Sequence, residues 1–258
     1  MSRYIYNHKR DILDGTEVQF SIRHHKLSVA ALPSQVDLRT GHLVPEILDQ
    51  GQLGSCGSNE LSNAMRFCLN KEAQTSWQPS RLYIYYFSRL YEGSPLSQDT
   101  GISVLGGLRA IQKYGSCDEG IWPYTISKFA RQPPPAAIKA AHTHCPGFNF
   151  LSVAQDLVSI KQVIAGGGSV VLGIQVYESL ESEDTFRSGN IPMPNTKAER
   201  QLGGHCVGLY GYDDSTETFL MMNSWGKQAG QEGWFKIPYS YVLDPNLSSD
   251  FWTITYFK

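Results

Sequence analysis

The chain has 258 residues, with 22 Lys and Arg against 24 Asp and Glu, for a formal net charge of −2. That balance offers no basic stripe for nucleic acid and no polybasic anchor for a membrane surface, and no stretch approaches the roughly 18 uninterrupted apolar residues of a membrane span. At 41% hydrophobic and 12% aromatic, the composition is that of a globular protein able to bury a core without disulfide or metal staples.

Residues 1–31 are polar and aperiodic and form an N-terminal extension ahead of a unit over 32–258. Charges are scattered through "MSRYIYNHKRDILDGTEVQF", so the apolar stretch of a secretory signal is missing. The cytoplasm, or export without such a signal, is the expected location. His24 and His25 are read as solvated. "LPSQVDLRT" (32–40) reads as extended, because Pro33 disfavours helix locally. Leu61, Ala64, Met65, Phe67 and Cys68 recur at helical spacing and predict a helix over 56–70, with Ser55 as its N-cap. A second helix is predicted in "PSRLYIYYFSRLYE", started by Pro79 and Ser80, and a third in "SVLGGLRAIQKYG", ended by Gly115. "RQPPPAAIKA" reads as a loop, since its proline run fits neither a ladder nor a helix interior. "AQDLVSIKQVIAGGG" is an amphipathic helix stopped by glycines. The period then changes. "SVVLGIQVY", "HCVGLYGYD", "TFLMMNSWG", "GWFKIPYSY" and "DFWTITYF" are short, β-branched or aromatic, and bounded by Gly, Asn and Asp, as strands are. Helices first and strands second predict an α+β fold, with a helical half mainly over 50–145 and an antiparallel β half mainly over 146–258 sharing one interface.

Five cysteines, at 56, 68, 117, 145 and 206, with no CxxC pair do not make a disulfide framework. "HTHC" (142–145) supplies too few metal ligands and has no matching second cluster, so it reads as a surface loop and no metal site is expected. The glycines of "AGGGSVV" follow a helix and precede a strand, the reverse of a phosphate loop. Cys56 stands out differently. It sits among small residues at a helix start, where free N–H groups and the helix dipole favour a thiolate. A cysteine nucleophile needs a base, and the base needs a group to hold its ring. His205 begins an apolar strand behind Gly203 and Gly204, where a ligand backbone could approach, and Asn223 ends the next strand with Trp225 two residues on. Cys, His and Asn thus supply the three roles in that order.

"LPSQVDLR", "DQGQLGSCGS", "DTGISVLGGLRAIQKYGSCDEGIWPY", "GGHCVGLYGYD" and "NSWG…GQEGWFKI" together resemble the papain family of cysteine peptidases, its bacterial branch in particular, and do so in the family's order along most of the chain. The resemblance implies peptide-bond hydrolysis through an acyl-enzyme thioester, with peptides or proteins as substrates and no cofactor, in a monomer. It assigns Cys56 as nucleophile, His205 as base and then acid, and Asn223 as orienter of the ring. The resting pair would be thiolate and imidazolium. Gln50 and the Cys56 N–H would form the oxyanion hole, and Trp225 would shield the Asn–His bond. Gly101, Ile102, Ser103 and Gly204 would meet the substrate backbone, and Cys206 would line a side-chain pocket or simply pack within its strand. Two departures are visible: Leu53 stands where the family has a disulfide cysteine, and Gly57 replaces the aromatic after the nucleophile. For the extension 1–31 two readings stand: a segment that lies across the cleft and blocks it until cut near "SVAALP", or a flexible tail. A Cys–His acyltransferase or deamidase, or a silent papain-like binding module, are the alternative readings.

Overall fold

The computed structural model describes residues 2–20, 32–39, 43–72, 77–144 and 148–256. His24, His25, Cys145 and the stretch before Leu32 that was expected to be cut lie outside them. The helices α1 (Cys56–Glu72), α2 (Arg81–Tyr91), α3 (Val104–Tyr114) and α4 (Pro135–His144) precede most of the sheet. The strands are β1 (Gln35–Asp37), β2 (Phe148–Ser152), β3 (Val170–Tyr177), β4 (Gln201–Asp213), β5 (Thr218–Met222), β6 (Trp234–Pro238) and β7 (Ser248–Tyr256), with α5 (Leu157–Ala165), α6 (Glu183–Ser188) and α7 (Tyr239–Leu243) between them. The order across the sheet is β2-β7-β3-β4-β5-β6, with β1 added to β4, and every pair is antiparallel. This is the expected α+β, papain-like architecture.

Local chemistry explains the boundaries. Ser80 and Ser103 cap α2 and α3 by accepting the N–H groups of Tyr83 and Gly106. Gly115 closes α3 at φ 73°, a left-handed value that glycine adopts without strain. Residues 135–144 correct the loop reading of "RQPPPAAIKA" and of "HTHC". Pro135 occupies the first helical position, where its missing N–H costs nothing, and the alanines behind it favour helix. Ala137 and Ala141, one turn apart, are fully buried in the helical half. Strand β2 escaped the sequence reading because "FNFLS" is short and half-buried, and its pairing with β7 decides its state.

Two apolar cores position what lies between them. One fills the β half around Val170, Leu172, Val207 and Leu209. The other packs α1, α2 and α3 against Val171, Trp252 and Ile254 of the sheet. Helix α1 lies at the seam, against α2 and α3 on one side and β3, β4 and β7 on the other. Inside the helical half, the fully buried Arg89 donates to the carbonyls of Leu96 and Gln98 at 2.9 and 2.8 Å and to that of Phe129. It thereby ties down the loop that leads to Gly101.

Candidate active site

Helix α1 delivers Cys56 at its first residue, pointing at the strand that carries His205. The backbone N–H groups of Cys206, Gly57 and Cys56 itself reach the sulfur, which places the thiol beside β4. Ser55 precedes the helix as expected. Its hydroxyl, however, pairs with Tyr124 and accepts from the Asn59 amide, so it makes no N–H cap. Across the seam His205 Nε2 lies 2.8 Å from Asn223 Oδ1, while Nδ1 is buried with no hydrogen-bond partner. The indole of Trp225 stacks on the imidazole at 5.4 Å between ring centres and is 1% exposed. Gln50 is held by Ser224, whose hydroxyl donates to its Oε1 at 2.9 Å, and its Nε2 donates to the Leu53 carbonyl at 3.0 Å. Gly57 has its own cause: a Cβ there would press on Ile102 at 2.8 Å.

The N-terminal residues run through this site. His8 N–H donates to the Gly204 carbonyl at 3.0 Å, and Lys9 N–H to the Ile102 carbonyl at 3.2 Å. Tyr4 stacks on Trp225 at 4.9 Å, and Tyr6 meets the His205 ring edge-on at 5.5 Å. The Ile5 carbonyl lies 3.4 Å from Gln50 Nε2. Gly101 and Gly203, both at positive φ, and Gly204 have no room for a side chain, because the backbone of Asn7, Tyr6 and His8 respectively fills the space. The approach of a backbone to the glycines before His205 is therefore made by the chain itself. Further on, Asp11 accepts from Leu105 N–H and Trp252 Nε1, and residues 18–20 pair with Ser152 of β2. We call residues 2–20 the strap.

Of the residues singled out in the sequence, Cys56, His205, Asn223, Gln50, Gly204, Cys206 and Trp225 converge on one place, and Gly101 and Ile102 flank it. Ser103 pairs with Lys9 only through its backbone, and its hydroxyl caps α3. Cys206 is buried beside the thiol. Sequence reasoning missed Tyr4, Tyr6 and His8 as cleft residues; "YIYNHK" had shown only a polar, aperiodic stretch. It also missed Glu60 and Asp250, which carry no local signal.

Under the strap the site is buried. Cys56 is 1% exposed and His205 fully buried. Burial pushes the Cys56 thiol up to about 11, outweighing the N–H groups around the sulfur. Burial likewise pushes His205 down to about 4, against the hydrogen bond to Asn223. The covered pair is therefore thiol and neutral imidazole, not the thiolate and imidazolium expected from the resemblance. Among the described residues no cluster of three His, Cys, Asp or Glu side chains could hold a metal, and Cys56, Cys68, Cys117 and Cys206 are in no disulfide. No helix of the described residues is long and apolar enough to cross a membrane.

Residues 32–244 match the model of the family described as papain family cysteine protease. The chain is 35% identical to an uncharacterized peptidase C1-like protein of Acanthamoeba polyphaga mimivirus, over 95% of this chain and 83% of that one. It is 26% identical to pro-cathepsin H of Medicago truncatula over 83% of this chain, but spans only 59% of that protein's length. Its structure superposes on xylellain, a cysteine protease from Xylella fastidiosa, with a TM-score of 0.91 at 32% identity, covering 100% of this chain and 98% of the other.

Proposed function

Because the chain belongs to the papain family of cysteine proteases, we propose that Cys56, His205 and Asn223 form its catalytic triad and that the strap holds it latent. In this reading residues 32–258 are the peptidase unit and 1–31 its blocking segment. The observation that carries the assignment is the placing of three groups. The imidazole is held by Asn223 on one nitrogen, its other nitrogen is unpartnered, and the Cys56 sulfur lies under the N–H of the next residue in β4. Such a ring can take the thiol proton once water and substrate replace the strap. The sulfur then attacks the peptide carbonyl carbon. The oxyanion falls between the Cys56 N–H and Gln50 Nε2. His205 gives its proton to the departing amine and leaves a thioester. His205 next takes a proton from water, which attacks the thioester and releases the acid and the free thiol.

Full-length chain carrying Tyr4→Ser and Tyr6→Ser loses the two rings that seal His205 and Trp225. It is expected to hydrolyse a fluorogenic peptide mixture, and adding Cys56→Ala is expected to abolish that hydrolysis. Hydrolysis that survives Cys56→Ala would sink the assignment. In the same opened chain, Gln50→Ala removes one oxyanion donor and is expected to lower kcat by about 10²–10³. A melting curve taken alongside separates this from the loss of the Ser224 bond. An unchanged kcat would remove Gln50 from the mechanism.

A further inference from the structure

Leu53 has no thiol with which to bridge, yet the loop that contains it is held at both ends. At Gln50 the backbone N–H donates to the Ser224 carbonyl at 2.9 Å, and the carbonyl accepts from the Tyr124 hydroxyl at 2.8 Å. Near the nucleophile the hold comes from Asp99. Its Oδ2 accepts the N–H of Gly54, two residues before Cys56, at 2.8 Å. Its Oδ1 accepts from the Tyr85 hydroxyl, which in turn accepts the Gly101 N–H at 3.1 Å. Burial, with the Asp99 carboxylate beside it, keeps the Tyr85 phenol protonated well above its usual range, so the hydroxyl is the donor to Asp99. Tyr85 is fully buried on α2, and the Arg89 guanidinium lies 4.3 Å from its ring centre.

One carboxylate thus joins two walls of the cleft. On one side stands the loop from Gln50 to Cys56. On the other stands the segment 99–102, whose Ile102 carbonyl now takes the Lys9 N–H of the strap. The strap adds its own link: the Asn7 amide donates to the Asp99 carbonyl at 3.1 Å and lies 3.4 Å from Oδ1. That link leaves with the strap. Gly54 and Tyr85 belong to the body and stay. Hydrogen bonds to a carboxylate are stronger than neutral ones, and a misplacement of about 1 Å in a reacting group can cost about 10²-fold in rate.

We infer that Asp99 is a positioning residue for the hydrolysis: its carboxylate, in place of a disulfide, holds the oxyanion loop against the segment that meets the substrate backbone, in the open enzyme as under the strap. The effect on rate rests on the peptidase reading, but the hold itself can be read without any catalysis. In the full-length Tyr4→Ser/Tyr6→Ser chain, Asp99→Ala is expected to lower kcat by about thirtyfold. In a Gln50→Ala background the same change should cost no more than about threefold, because the donor being positioned is already gone. A role confined to stability would leave the two losses multiplicative. Amide hydrogen exchange at Gly54 should speed by at least about tenfold in Asp99→Ala.

Asp99→Asn has nearly the same shape and decides the matter if Asp99→Ala does not fold. Its single oxygen cannot accept from both Gly54 and Tyr85, so kcat should fall by about tenfold and exchange at Gly54 should again quicken. Unchanged exchange at Gly54, a kcat within about threefold of the opened parent, or losses that multiply with that of Gln50→Ala overturn the inference. Faster exchange at Gly54 with no hydrolysis by any of these chains refutes the peptidase reading and leaves the hold of Asp99 on the loop standing.

Discussion

In the intact chain at pH 7, Cys56 is expected to react with iodoacetamide at least about a hundredfold more slowly than in the full-length Tyr4→Ser/Tyr6→Ser chain. The nucleophile is the thiolate, and a thiol raised to about 11 is ionised only to about one part in ten thousand at that pH. A solvated cysteine near its ordinary pKa of about 8.5 is ionised to a few per cent. Exposure alone therefore yields the larger part of the effect. The rest comes from His205, which burial keeps neutral under the strap at about 4 and which can charge and pair with the thiolate once wet. The sign with pH follows. Labelling of the intact chain rises about tenfold per pH unit up to about pH 10 and levels off only above about 11. Labelling of the opened chain levels off at or below pH 8.5. Mass spectrometry of the Cys56 peptide separates it from Cys68, Cys117 and Cys206, all of them buried. Two superimposed profiles would mean that the strap does not control the thiol.

Glu60 is expected to make the fold lose stability as pH rises from 5 to 8. It sits one turn beyond Cys56 on α1, is 1% exposed, and accepts a hydrogen bond from Tyr210 of β4 at 3.1 Å. A Cβ at Gly208 would collide with its carboxyl oxygen, so β4 makes room for it. Burial pushes its carboxyl up to about 8, and the Tyr210 bond offsets only part of that. The folded chain thus keeps a proton that the unfolded chain gives up near 4.5. Through that window the unfolded state binds fewer protons, and stability falls as pH rises, by up to about 4 kcal/mol between pH 5 and pH 8. His205 acts in the opposite sense at lower pH: its depressed folded value adds stability as pH rises from about 4 to 6.5. The comparison is therefore made by difference. Urea unfolding of the parent and of Glu60→Gln is measured at pH 5, 6, 7 and 8. The parent's excess downward slope should vanish in the variant, whose amide carries no charge to desolvate. Parallel slopes would show that Glu60 ionises freely in the folded chain.

Much of this molecule is decided by short-range chemistry. Ser80 and Ser103 start helices because their hydroxyls satisfy first-turn N–H groups, Gly115 ends one because it tolerates positive φ, and the change of period near residue 169 marks where β3 begins. Family membership was legible for the same reason: the small residues around Cys56, the glycines before His205 and the "NSWG" stretch are patterns contained in short stretches of sequence. What local pattern could not reach depends on pairs distant in sequence. "FNFLS" is a strand because Ser248–Tyr256 lies beside it. Residues 135–144 are helical because Ala137 and Ala141 find a core to enter. Tyr4, Tyr6 and His8 matter only because the fold brings Trp225, His205 and Asp250 to meet them, more than 190 residues on. The protonation of the site is the clearest case. The sequence determined that a cysteine, a histidine and an asparagine occur in positions that suit an ion pair. Whether the pair is charged was decided by the tertiary structure, since desolvation depends on everything packed around a group, and here the strap is part of what is packed.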